Sequence, residues 1–338
     1  MKNFIYTFFL FCTLAACKNE PKQEFPKTGN ADIDALTEAI FKNPKDAQLY
    51  FRRAQLFYKN AEQGGYSYAL KDMQYALEID SVNLGFHNFL ADMYIRPPEG
   101  EQPQSRLAVT TLERAVGLYP DSMKTVLNLA KLYYLTDQNQ ASMTLIDKIL
   151  KRDAQNASAF FLLAKNFQRL KKDELAIGAF QRTADLDSKN VDAFIEIAQM
   201  YEAKNDPKAL KYLDNALTVD PQCAPALLNK GVYFFSRKRY AEALEVYQQM
   251  QQSNPHDPDV YFNIGVLYLD QDSTAKARAN FDIAIKEKPT YFRAYYGIGE
   301  CEEKTGDKAE AIKNYQQAIA LMPSYQKAKD KLAKLGVK

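Results

Sequence analysis

The sequence reads as an all-α chain, a superhelical array (α-solenoid) of about eight helix–turn–helix repeats with a capping helix at each end. Three observations carry that expectation. Motifs return every 33 or 34 residues through most of the chain, a period that marks stacked helical pairs and not one globular core. Two places in the period hold a small residue in every unit. Large apolar residues fill other places at i, i+3, i+4, i+7 spacing, the stripe of an amphipathic helix.

Composition agrees. The 338 residues are 46% hydrophobic and 25% charged, with a formal net charge of +2, so there is ample apolar material to bury. Acids and bases interleave along the chain, as on a solvated helical surface. Nucleic acid is not an expected partner, because it requires a strongly basic face.

Residues 1–16 read as a leader. Lys2 precedes an apolar run from Phe4 to Ala16, which is too short for a spanning helix of roughly 20 residues and suits a secretory signal. Leu14-Ala15-Ala16-Cys17 resembles the bacterial lipobox. That resemblance implies cleavage before Cys17 and lipid on its thiol, hence a membrane anchor in the bacterial cell envelope. Several acyl chains make such anchoring stable. Lys18 stands where some bacteria place a retention Asp, so the expected location is the outer membrane. Residues 17–30, with Pro21, Pro26 and Gly29 among charges, read as a flexible tether. Residues 31–46 read as an N-terminal capping helix, centred on Asp32–Lys42 and stopped at Pro44.

The repeat is clearest near the C-terminus. Tyr261-x-x-Ile264-Gly265-x-x-Tyr268, Ala277-x-x-x-Phe281-x-x-Ala284 and Pro289 return 34 residues later as Tyr295-x-x-Ile298-Gly299, Ala311-x-x-x-Tyr315-x-x-Ala318 and Pro323. This resembles the tetratricopeptide repeat, a helix–turn–helix unit of that length. In this register eight units cover 47–323, as 47–83, 84–122, 123–156, 157–190, 191–223, 224–257, 258–291 and 292–323. Place eight holds Ala54, Ala91, Ala130, Ala164, Ala198, Gly231, Gly265 and Gly299, expected to be small because a neighbouring helix backbone crosses there. Place twenty holds Ala69, Ala108, Ser142, Ala176, Ala209, Ala243, Ala277 and Ala311. Large residues take place four (Tyr50 and His87 through to Tyr295) and place twenty-four (Met73 through to Tyr315). One unit cannot bury this stripe alone, so neighbours stack.

Departures mark special positions. Arg53 and Lys230 occupy the normally apolar place seven, and Glu302 occupies place eleven. Arg96–Pro103 lengthens the second unit and is expected to loop outward. A smaller insertion surrounds Gln63-Gly64-Gly65-Tyr66. Residues 324–338, with the stripe Tyr325, Ala328, Leu332 and Leu335, read as a C-terminal capping helix with one face to pack and one to solvate.

The sequence offers no chemistry. His87 falls on a core place and His256 on a turn, and neither has metal-ligand spacing. Gly297-Ile298-Gly299 lies inside a helix with no preceding strand, so packing explains it better than a nucleotide does. Cys301 falls on a packed place and reads as a small buried hydrophobe. Cys223 lies in a turn. No catalytic residue, cofactor or metal is expected, nor is a small-molecule substrate.

The remaining functional surface is the concave groove that the resemblance implies, lined by places two, five, nine, twelve and thirteen of each first helix. Place five contributes Phe51, Leu127, Phe161, Ile195, Leu228, Phe262 and Tyr296. Place twelve adds Tyr58, Tyr134, Phe235 and Leu269. Place nine ranges from Lys131 and Lys165 to Val232, Val266 and Glu300, and Arg169 stands at place thirteen. The lining is therefore apolar with a basic middle, and Phe161, Tyr134 and Phe235 are the expected central anchors. Relatives that clamp a peptide's terminal carboxylate use Lys at place five and Asn at place nine, and neither occurs here. The expected function is a non-enzymatic envelope lipoprotein that binds a peptide or helix of another protein, serving as a scaffold for assembly or localisation of an envelope complex. The alternative is a glycan-capturing outer-membrane lipoprotein, against which stand the lack of Trp and the presence of only one insertion of note, Arg96–Pro103.

Overall fold

The computed structural model describes residues 28–60 and 65–337. The leader, Cys17, most of the tether and Gln63-Gly64 lie outside the described residues. Among those described, the chain forms eighteen helices and no strand. Helix α1 (Ala31–Lys42) leads and α18 (Gln326–Lys334) ends the series. Between them run eight pairs: α2 (Ala47–Lys59) and α3 (Gly65–Ile79), α4 (Leu84–Ile95) and α5 (Ser105–Leu118), α6 (Met123–Leu135) and α7 (Asn139–Arg152), α8 (Ala157–Arg169) and α9 (Asp173–Leu186). The remaining four are α10 (Val191–Ala203) and α11 (Lys208–Val219), α12 (Ala224–Ser236) and α13 (Tyr240–Ser253), α14 (Pro258–Asp270) and α15 (Thr274–Glu287), and α16 (Phe292–Thr305) and α17 (Lys308–Leu321). The helices divide into two compact units, one ending at Leu132 and the other running Tyr133–Lys338.

Two kinds of turn repeat. Before several first helices an Asn side chain accepts from the backbone N–H three residues on: Asn83 from Phe86 (3.3 Å), Asn156 from Ala159 (2.9 Å) and Asn190 from Ala193 (3.0 Å). Such a cap contributes about 1 kcal/mol relative to Ala. Between first and second helices the chain reverses through one left-handed residue. These are Asp137, Lys171, Asn205, Lys238 and Asp272, with φ between 54° and 60°, and then Gly306 at 89°. Asp, Asn and Gly enter that region readily, whereas Lys171 and Lys238 do so against steric resistance.

The small residue at place eight answers to a different neighbour than the sequence suggested. A Cβ on Gly265 would stand 2.5 Å from the Phe281 ring, and one on Gly299 would stand 2.6 Å from the Tyr315 ring. On Gly231 it would strike Tyr247. The crowding group is thus the place twenty-four ring of the same repeat, and not a neighbouring helix backbone. Met73, Leu112, Ile146 and Leu213 at place twenty-four go with Ala at place eight, and Phe180 with Ala164 is the one aromatic exception.

In four repeats place four anchors to the preceding turn. The hydroxyls of Tyr50, Tyr261 and Tyr295 donate to the carbonyls of Pro44, Pro255 and Pro289, each six residues earlier. His87 bonds the Ser81 carbonyl through Nε2 at 3.0 Å, so it fills the same role with a different ring.

Polar residues in apolar places are paired. Arg53 is fully buried and donates to Asp72 through Nε at 2.8 Å and Nη2 at 2.7 Å, and to Thr37 of α1 through Nη1 at 3.0 Å. Burial pushes the Asp72 carboxyl above its ordinary value while Arg53 pulls it down. Lys230 pairs with Asp214 at 2.8 Å. Buried Glu302 accepts from Arg278 (2.6 Å) and Asn314 (2.9 Å). The Arg96–Pro103 segment does not simply point outward: the Tyr58 hydroxyl donates to the Arg96 carbonyl, and Gln104 N–H returns to the Tyr94 carbonyl at 2.8 Å. At the C-terminus α18 lays Ala328 and Leu332 on Ala311, Tyr315 and Ala318.

Candidate functional site

Within the unit Tyr133–Lys338, successive first helices pack side by side, α10 against α12 and α14 against α16. Their exposed places converge at the C-terminal repeats around a cavity of about 330 Å³. Val232 and Phe235 of α12 form one side, Phe262, Asn263 and Val266 of α14 the middle, and Tyr296, Gly297 and Glu300 of α16 the other. Tyr325 and Lys327, at the start of α18, complete it, and the buried ring of Tyr247 reaches its wall. The helical period puts places five and nine on one stripe, which is why one face supplies most of the lining.

The lining is aromatic and aliphatic with few polar groups. Val232 is 41% exposed, an aliphatic side chain that faces solvent in a cavity otherwise walled by half-buried rings. Asn263 donates to the Asp259 carbonyl one turn back at 2.7 Å. The Tyr296 hydroxyl donates to Glu300 at 3.0 Å, and Lys331 lies 3.5 Å from Glu300 and 2.8 Å from Glu303. Burial, then the adjacent Glu300 carboxylate, pushes the Tyr296 phenol above its ordinary value. Burial works against the Glu303 charge, but donors from Lys331 and Tyr315 outweigh it and hold that carboxyl below the ordinary range. Behind the cavity Cys301 is buried, and burial with help from Glu300 pushes its thiol up to about 11. A thiol so protonated is a poor nucleophile at neutral pH. Among the described residues no group of three His, Cys, Asp or Glu is placed to hold a metal. The arrangement can enclose apolar side chains of a ligand.

The expected groove residues fall into three sets. Phe235, Phe262 and Tyr296 meet at this cavity, and Leu228 packs half-buried on the adjoining core. A second set is engaged elsewhere. Phe51 packs on Phe86 and Phe89, with centroids 4.9 and 5.4 Å away, and Tyr58 holds the inserted segment. Phe161 rests on Phe180 at 5.3 Å, and Tyr134 lies under the Arg169 guanidinium at 3.8 Å. Leu127 is half-buried on α6. The third set is a correction: Ile195 and Leu269 are buried at 7% and 8% exposure and belong to the core. The basic middle is also largely answered within the chain, since Lys165 pairs with Glu196 and Arg169 with Asp137, both at 2.9 Å. Lys131 stays exposed. Of the expected central anchors Tyr134, Phe161 and Phe235, only Phe235 lines this cavity, which sits at repeats six to eight.

Asn263, Tyr325 and Lys327 were missed as lining residues. A signal existed for Lys327, which stands 34 residues after Arg293 and so occupies place two of a truncated ninth unit. In the other unit a larger, shallower depression of about 730 Å³ lies between the α1–α2 and α3–α4 turns. Two of its polar lining residues are occupied with capping, Asp46 on Gln48 N–H and Asn83 on Phe86 N–H.

Residues 207–258 and 262–326 match the family model of the tetratricopeptide repeat, so the stretch that builds the cavity consists of such repeats. The chain is 24% identical over 240 residues to the Hsp70-Hsp90 organizing protein of Triticum aestivum, covering 69% of this chain and 35% of that one. It is 27% identical over 173 residues to Peroxisome biogenesis protein 5 of Arabidopsis thaliana, covering 50% and 22%. The chain thus spans about a third or less of the length of these curated relatives. Among solved structures, the C-terminal part of a TPR repeat-containing protein from Cytophaga hutchinsonii aligns with a TM-score of 0.56 at 18% identity, over 74% of this chain and 99% of that one. A tetratricopeptide repeat protein from Parabacteroides merdae aligns at 0.53 and 18%, over 68% and 91%. The chain shares their all-α tetratricopeptide fold. Proteins built from these repeats generally mediate contacts between proteins.

Proposed function

We propose that the chain is a non-enzymatic scaffold of the bacterial envelope that binds a peptide or helix of a partner protein in the cavity of repeats six to eight. Lipid on Cys17 holds it at the outer membrane, and partner binding there serves assembly or localisation of an envelope complex. The observation that supports the binding reading is Val232, exposed among Phe235, Phe262, Val266 and Tyr296 at one concave spot. An apolar recess rimmed by polar groups is the usual form of a recognition site. Covering one large apolar side chain there contributes roughly 1.5–3 kcal/mol, whereas micromolar affinity needs about 8 kcal/mol. The bound segment must therefore also run along neighbouring first helices, with the cavity as its central anchor point.

A photo-crosslinking side chain at Val232 in living cells tests this, with Leu175 as control. Leu175 is 53% exposed on α9 and lies outside the cavity. Discrete adducts to another protein are expected from position 232 and not from 175. Adducts from 175 alone, or from neither position, would refute the reading.

A further inference from the structure

We infer that the partner segment carries an Asp or Glu within one helical turn of its bulky apolar anchor, and that Lys327 is the residue that selects it. The inference rests on the cavity being the binding site. Of the residues that line the cavity, two are charged, Glu300 and Lys327. Glu300 accepts from Tyr296 and lies 3.5 Å from Lys331. Asp259, just outside, accepts the Tyr291 hydroxyl and stands 4.0 Å from Arg293.

Lys327 differs. It is exposed at the mouth, and no carboxylate among the described residues pairs with it. Asp330, three residues on, accepts from Gln326 at 2.8 Å. Helical spacing places Lys327, Lys331 and Lys334 on one stripe of α18. Glu300 and Glu303 are both within reach of Lys331, which leaves Lys327, at the cavity end of the stripe, without a carboxylate. The site therefore presents an apolar recess with a cation at its edge, complementary to an apolar side chain with an acid beside it. A basic neighbour in the partner is opposed by the same lysine. A charge at the rim acts mainly on association rate and partner choice, and salt screens it. In this reading α18 does more than close the stack: it forms the wall of the cavity that discriminates between partners.

The test pans a random dodecapeptide display library against the full-length protein in detergent, as wild type, Lys327→Glu and Val232→Asp. Both altered side chains are exposed, so neither substitution empties the core. Wild type should enrich peptides with a large apolar residue and an Asp or Glu within four positions. Lys327→Glu should keep the apolar residue, lose the acid and favour Lys or Arg. It should also weaken the best wild-type peptide about three- to tenfold at low salt, with the difference fading as salt is raised. Val232→Asp should enrich nothing. Apolar peptides without acidic excess, or an unchanged preference in Lys327→Glu, overturn the charge inference while leaving the cavity reading intact. Enrichment indifferent to Val232→Asp, or none with wild type, overturns both.

Discussion

Gly231 and Tyr247 show how one atom sets a repeat's packing. The ring is nearly fully buried and occupies the space where a Cβ on Gly231 would stand. Gly231→Ala should therefore overpack the hairpin and destabilise it by about 1–3 kcal/mol. Repeat five solves the same contact with Ala198 and Leu213, so adding Tyr247→Leu to Gly231→Ala should recover part of that loss. A double-mutant cycle by urea unfolding reads the coupling. Strict additivity of the two changes, within about 0.5 kcal/mol, would mean that the two residues do not compete for this space.

The first hairpin depends on one buried ion pair. Arg53 on α2 meets Asp72 on α3 with both partners fully buried, and its remaining nitrogen reaches Thr37 on α1. Three helices thus share one guanidinium. Asp72→Ala removes the carboxylate from a buried cation and should cost about 3–5 kcal/mol. Replacing both residues, with Arg53→Met and Asp72→Leu, should restore most of the thermal midpoint, because well-packed apolar residues often match a buried pair. The pair's role would then be to fix which helices meet. A double variant as unstable as Asp72→Ala would show that the pair itself supplies net stability.

Within each compact unit the repeats pack on their neighbours in sequence, so stability there is close to a sum of local terms. The proposed anchor makes a separable prediction: Cys17→Ser should abolish labelling by a lipid precursor and release the protein from the membrane fraction, with its helical signal unchanged. Labelled lipid retained on that variant would rule out Cys17 as the attachment site. Binding at the Val232 cavity should survive the substitution, because every residue that lines it lies between Val232 and Lys327.

The helical class, the 34-residue register and the small residues at places eight and twenty were legible from residue order alone, because helix period and repeat spacing are local properties that recur along the chain. That register, with the groove the resemblance implies, put Phe235, Phe262 and Tyr296 on one face, and they line the cavity. Tertiary structure decided which lining residues remain open. Ile195 and Leu269 are swallowed by the core, and Lys165 and Arg169 are paired with acids of neighbouring segments. Burial and ion pairing depend on what approaches from the next repeat, at sequence separations that a periodic pattern does not specify. The same holds for Arg53, a misfit at an apolar place until Asp72 is brought to it. Lys327 is the converse, an ordinary surface lysine in the sequence that becomes a wall of the cavity because α18 docks where a ninth repeat would begin.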